Sequence, residues 1–215
     1  MNNIVNVKES SKSHFDDIAK DYNNSHDGKY VNCMYHEIIE RIVSMEDKPT
    51  KILDLGCGNG NVISLLSDKI DAQLFGVDLS ENMVLEAKSY LQEKAEFQVG
   101  DAEQIPYKDK MFDVVICNAS FHHYPNPLIV LDEIKRVLND DGIFILGDPT
   151  APFGWFLRLF NWTLRYSDSG DYHIYGKKEI IPMLEQKGFK VMEWKKINMK
   201  SFILTARSIN LPSTD

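Results

Sequence analysis

The chain has 215 residues, 43% of them apolar, and a formal net charge of −8. That length suits one domain able to bury its own core, and the acidic balance argues against a large basic face for nucleic acid. The three cysteines, Cys33, Cys57 and Cys117, show neither metal-ligand spacing nor an even-numbered disulfide framework, which fits a reducing, cytoplasmic setting. Met1 to Asn6 lack the basic start and apolar core of a signal peptide, and no run reaches membrane-spanning length.

In chain order, Met1 to Ser13 are polar and expected to fray. Phe15 to Tyr22 carry apolar groups at helical spacing, and Asn23 to Gly28 break the pattern. Tyr30 to Met45 read as an amphipathic helix with Tyr35, Ile38, Ile39, Ile42 and Val43 on one side. From Lys51 the pattern alternates. Strand Lys51 to Asp54 leads to a helix at Asn61 to Ser67, and strand Gln73 to Val77 to a helix at Glu81 to Leu91 with Ser80 as its N-cap. Strands at Glu96 to Val99, Asp113 to Cys117 and Ile143 to Leu146 follow, with a helix opened by Asn126 and Pro127 and ended by Asn139 to Gly142. Alternation of this kind implies a mainly parallel sheet with helices on both faces. Asp113 opens its strand and is read as structural. Beyond Pro149 the alternation stops. An aromatic stretch from Pro152 to Trp162 reads either as a helix packed on the sheet edge, as a lid over an acceptor, or as a membrane contact; it is followed by a polar turn, Ser167 to Asp171, and by Tyr172 to Tyr175. A helix from Lys178 to Lys187 and an antiparallel pair, Phe189 to Trp194 with Ser201 to Ala206, close the chain.

The organising stretch is Asp54-Leu55-Gly56-Cys57-Gly58-Asn59-Gly60, a strand that breaks into three alternating glycines before a helix. Glycine serves where a backbone takes positive φ or approaches a ligand closely, and a helix start leaves N–H groups for an anion. The dinucleotide fingerprint G-x-G-x-x-G is not met, because its third glycine position is Asn61. Asp54 beside the glycines would repel a pyrophosphate and attract an ammonium group. In an open parallel sheet, ligands lie outside the carboxyl ends of the strands. Asp54, Asp78, Asp101 and Asn118 each fall at such an end, so they are read as one convergent site.

Asp54-x-Gly56-x-Gly58-x-Gly60 resembles the first motif of class I S-adenosylmethionine-dependent methyltransferases. Phe75 to Ser80, Val99 to Ala102 and Phe112 to Asn118 resemble its next strands in order, and Phe121-His122-His123 is similar to the following segment in the ubiquinone/menaquinone-biosynthesis-like small-molecule branch. The resemblance covers about Phe15 to Arg207. It implies a Rossmann-like α/β fold with a mainly parallel seven-stranded sheet and an antiparallel last strand. It also implies a helical cap over 1–48, a core over 49–215 and a substrate-lid insertion at about 149–176. S-adenosyl-L-methionine is the implied cofactor, with Asp54, Gly56, Cys57, Gly58, Gly60, Asp78, Leu79, Met83, Asp101, Ala102 and Asn118 as its contacts. On that analogy Asp78 meets the ribose hydroxyls and Asp101 the adenine amino group. Tyr22, Trp155 and Tyr172 are candidate acceptor contacts. A sulfonium methyl is already electrophilic, so proximity supplies most of the catalysis; a base helps a hydroxyl or acidic-carbon acceptor, and His122, His123 and His173 are the candidates. His122 and His123 are expected to point opposite ways, with no carboxylate beside them for a metal. The expected partner is a small-molecule acceptor, apolar or aromatic, and neither nucleic acid nor an integral membrane segment. A non-catalytic subunit retaining the fold, or another reaction of the same cofactor, remains open.

Overall fold

The computed structural model describes residues 2–164 and 170–209. Its centre is a seven-stranded sheet: β1 (Lys51–Leu55), β2 (Gln73–Asp78), β3 (Glu96–Val99), β4 (Phe112–Asn118), β5 (Leu138–Pro149), β6 (Phe189–Lys196) and β7 (Ser201–Ser208). The spatial order is β3-β2-β1-β4-β5-β7-β6. Neighbours from β3 to β5 pair in parallel, and β7 alone runs against the rest. The alternating side chains of each strand feed two cores. Leu53, Leu55, Val115 and Phe144 join one with Val130, Ile134 and Leu184. Ile52, Val114, Ile116 and Ile145 join the other with Ile38, Ile63 and Val84. The helices α3 (Asn61–Ser67), α4 (Glu81–Leu91), α5 (Pro127–Val137) and α7 (Lys177–Gln186) supply the covering layers.

The parity of the strands decides where the polar residues go. Asp54 shares a face with Ile52, Asp78 with Leu74, and Asn118 with Val114 and Ile116. All three therefore leave the carboxyl ends of adjacent strands on one side of the sheet. At the opposite end Asp113 fastens the strands together. Its Oδ2 accepts from Thr50 N at 2.7 Å, Thr50 Oγ1 at 2.8 Å and Lys51 N at 3.1 Å, while Oδ1 accepts from Asn139 Nδ2 at 2.7 Å. Asp113 is structural.

Several elements differ from the sequence reading. The polar start expected to fray is helix α1 (Asn2–Ile18), continued by a 3₁₀ turn at Ala19–Asn24. Distant ion pairs and caps hold it, and these leave no trace in local periodicity. Helix α2 (His26–Val43) starts four residues before Tyr30, because Ser25 caps it by accepting from Gly28 N at 3.0 Å. Asn126 precedes α5 but makes no cap bond; its amide reaches the Glu103 carboxylate at 3.1 and 3.2 Å. The fifth strand begins at Leu138, which pairs with Phe112 before the register jumps to Val114 and Ile143. Helix α6 (Gly154–Leu164) buries Leu157 and Leu164 with Ile174, whereas Trp155, Phe156, Leu159, Phe160 and Trp162 are exposed. Of the polar turn, Ser167, Asp168 and Ser169 lie outside the described residues.

Candidate active site

Two of the three glycines are forced by geometry. Gly56 takes φ 74°, and a Cβ there would stand 2.3 Å from Ser120 Oγ. Gly60 takes φ 83°, and its Cβ would meet Leu91 Cδ1 at 2.8 Å. Gly60 thus lets α3 and α4 pack closely, and it is not among the residues lining the two hollows that lie beyond the loop. Gly58 keeps its amide on Asp78 Oδ2 at 2.7 Å.

Beyond these glycines lie two adjoining hollows of about 500 and 540 Å³ of open space. The first is lined by Asp54, Cys57, Gly58, Asp78, Met83 and Asn118 among others, and the second by Asp78, Leu79, Asp101 and Ala102. Gly56, Phe15, Ser120 and His123 border both. Asp54 is 2% exposed, and both its carboxylate oxygens lack a hydrogen-bond partner among the described residues, as does Asn118 Oδ1. Burial, with Asp78 nearby, pushes the Asp54 carboxyl up to about 8. Burial also raises Asp78, against the opposing pull of the Gly58 and Ser80 amides; Ser80 N donates to Oδ1 at 2.9 Å. Asp101 receives Lys8 Nζ at 2.7 Å and Glu103 N at 2.9 Å. Lys8 belongs to α1, so the segment expected to fray roofs the second hollow.

The histidines do not stand as expected. Phe121–His123 form a 3₁₀ turn rather than extended backbone, so the rings of His122 and His123 lie 4.1 Å apart on the same side. His122 Nδ1 is 2.9 Å from Asp148 Oδ1, and its Nε2 is 3.3 Å from Asp171 Oδ1. His123 Nδ1 is 3.1 Å from the Gly170 carbonyl and 3.4 Å from Asp171 Oδ1. A carboxylate does stand beside the pair. Burial lowers the His122 imidazole less than Asp148 and Asp171 raise it, leaving it near 10, whereas burial and the charge on His122 hold His123 at about 3. His123 alone of the three candidates borders the cleft. His122 is turned to Asp148, and His173 packs on Tyr175 at 4.6 Å with Nε2 near Asn161. Tyr22 borders the first hollow and meets Phe15 edge-on at 6.4 Å; Phe15 in turn meets His123 at 5.2 Å. Trp155 is 65% and Tyr172 41% exposed, and neither is among the residues lining these two hollows. Phe15, Lys8, Ser120, Asp148 and Asp171 went unmarked in the sequence. Of these only Asp148 carried a signal, as an acid at the end of a strand.

Residues 53–146 match the family model described as methyltransferase domain. The chain is 30% identical over 192 residues to the uncharacterized protein MJ1252 of Methanocaldococcus jannaschii, covering 88% of this chain and 68% of that one. The chain belongs to the class I S-adenosylmethionine-dependent methyltransferases. A demethylmenaquinone methyltransferase of Thermotoga maritima is 29% identical, over 71% of this methyltransferase and 76% of the relative. The uncharacterized methyltransferase YcgJ of Bacillus subtilis is 37% identical over 106 residues, a match spanning 47% of this chain and only 42% of YcgJ. Its solved structure superposes with a TM-score of 0.71 over 82% of this chain and 98% of that one, at 20% identity, a likeness of fold. The family's cofactor suits the methyltransferase cleft on independent grounds. A cavity holding an orphaned, buried carboxylate and a second acid alongside favours a ligand that brings positive charge.

Proposed function

We propose that this methyltransferase moves the methyl group of S-adenosyl-L-methionine to a small apolar or aromatic acceptor. The observation that carries the reading is the buried, unpartnered Asp54 carboxylate, placed in the same cleft as His123. Asp54 takes the cofactor's ammonium group, aided by Asn118. Asp78 takes the ribose hydroxyls while still holding the Gly58 amide in place, and Asp101 takes the adenine amino group beside Ala102 and Leu79. Cys57, Gly56, Gly58 and Met83 contribute wall rather than charge. When bound, the cofactor supplies an electrophilic methyl group, and in-line placement of the acceptor does most of the remaining work.

On the acceptor side, Phe15, Tyr22 and His123 form an aromatic wall, and pockets for apolar ligands are built from such groups with few polar ones. His123 donates Nδ1–H to the Gly170 carbonyl, which leaves the lone pair on Nε2. That neutral nitrogen accepts a hydrogen bond from the acceptor's hydroxyl and orients it, since a group held at about 3 is too weak a base to take the proton in full. The demethylmenaquinone methyltransferase relative supports a quinol-like or phenolic acceptor, since its name describes methyl transfer to an apolar ring.

Calorimetric titration with S-adenosylmethionine and S-adenosylhomocysteine tests the cofactor half. Asp54→Asn is the cleanest variant, because Asp54 holds no other residue in place. Micromolar-range binding in the wild type, weakened roughly tenfold or more by Asp54→Asn, is the expected result; a lost charge-assisted bond costs about 1.5–3 kcal/mol. Equal affinity in both proteins would remove Asp54 from the site. Formation of S-adenosylhomocysteine during a screen of phenolic and quinol acceptors tests the transfer itself.

A further inference from the structure

We propose that His122, His123 and Asp171 bind a late first-row divalent cation of the zinc type, fastening the insertion to the core. One ring nitrogen of each histidine and one Asp171 oxygen lie within 4.8 Å of one another, the only such cluster among the described residues. Two of the separations match a specific geometry. Zinc bonds of about 2.0–2.1 Å put the donors of a tetrahedral site roughly 3.3–3.4 Å apart. Asp171 Oδ1 stands 3.3 Å from His122 Nε2 and 3.4 Å from His123 Nδ1. The Gly170 carbonyl, 3.1 Å from the same His123 nitrogen, brings a further oxygen to the cluster.

The surroundings complete the pattern. Ligating histidines characteristically donate their second ring N–H to a carboxylate or carbonyl, which fixes the tautomer and aims the lone pair at the ion. Asp148, 0% exposed at the end of β5, does this for His122 at 2.9 Å. It thereby turns Nε2 toward the Asp171 carboxylate, 3.3 Å away, so that either a proton or an ion can bridge the two. In the unloaded protein a proton fills that place, and the ion replaces it. Two imidazoles and one carboxylate are borderline donors, suited to zinc, cobalt or nickel ions and poorly suited to magnesium or calcium.

The linkage has a structural purpose. Gly170 and Asp171 belong to the insertion, and a Cβ on Gly170 would stand 2.5 Å from Ser11 Cα of α1. An ion at this point therefore ties together the turn after β4, the insertion and, through Gly170, the helix that roofs the cleft. An ion on His123 Nδ1 displaces its bond to the Gly170 carbonyl and leaves the ring proton on Nε2, so the loaded site and the His123 role proposed above exclude one another, whereas the cofactor contacts of Asp54, Asp78 and Asp101 are independent of it.

The test uses the full chain without an affinity tag, titrated with zinc and cobalt(II) chloride. One ion per chain at micromolar or tighter affinity is expected, with the visible absorption of four-coordinate cobalt and a raised melting temperature. Asp171→Asn should weaken binding at least tenfold, and His122→Gln should do the same. Asp171 is half-buried in the insertion, so Asp171→Asn keeps the comparison sound if His122→Gln fails to fold. His36→Gln, which removes an exposed histidine 3.5 Å from Glu40, should change nothing. Absence of stoichiometric binding to the wild type overturns the proposal. So does binding that survives Asp171→Asn or disappears in His36→Gln.

Discussion

Asp54 sits where an unfolded chain would never keep a proton at neutral pH, and this has a measurable cost. Its carboxyl rises from 3.8 in the exposed state to about 8 in the fold. Below pH 4 both states are protonated and the residue is neutral to stability. Between pH 4 and 8 the unfolded chain ionises while the folded chain retains its proton, so stability falls as pH rises, by up to about 1.4 kcal/mol for each pH step. Asp54→Asn lacks this penalty. The variant should therefore unfold at higher urea than the wild type at pH 8, with the two converging near pH 4. Coincident curves at both pH values would show that Asp54 is solvated or paired. The acids of this site were legible in the sequence because a strand's period of two places its last residue on a known face. Asp148 and Asp171 were not, since their bonds to His122 span 26 and 49 positions and depend on a 3₁₀ turn that two adjacent histidines do not announce.

Helix α1 shows the same limit at the level of an element. Its first 13 residues carry too few apolar groups to suggest a packed face, and its stability comes from partners far along the chain. Lys8 pairs with Asp101 and with Glu103, at 2.7 and 2.9 Å. Asp16 Oδ1 accepts from Ser80 Oγ at 2.6 Å and Asn82 N at 3.1 Å, so a residue of α1 caps the start of α4. Asp16→Ala should cost about 1–2 kcal/mol at this junction. The loss is local, so limited proteolysis should cut faster within residues 2–18 while the sheet's hydrogen exchange stays as it was. Unchanged cleavage would mean that the ion pairs of Lys8 alone hold the helix. The alternating βα core was legible for the opposite reason: each strand and helix there carries its own periodicity, and only the ends moved. The aromatic stretch of α6 offered no such rule. Its rings are mostly exposed, a disposition that periodicity alone does not reveal.

For the whole molecule, the cleft is bordered by pieces from three regions: the glycine loop, α1 with the 3₁₀ turn after it, and the turn after β4. A ligand that fills it stabilises all three by mass action. S-adenosylhomocysteine at a hundred times its dissociation constant should add about 2.7 kcal/mol, or several degrees in melting temperature for a chain of this size. A melting temperature that stays fixed while calorimetry reports tight binding would place the binding outside this cleft. The two ends of the sheet differ in kind. Asp113 clamps β1, β4 and the start of β5 at one end, and the cleft-lining acids gather with His123 at the other. The stretch that matches the family model, 53–146, contains Asp113 and Asn139 of the clamp and the acids at the strand ends, but not Thr50 and Lys51, nor α1, α2 and the insertion. Of these outlying pieces, α1 and α2 border the cleft, through Phe15 and through Val31 and Tyr35, without joining the clamp. On the function proposed above, acceptor preference follows the roof: grafting a different α1 and α2 onto an unaltered centre should retool the enzyme without having to re-solve its folding.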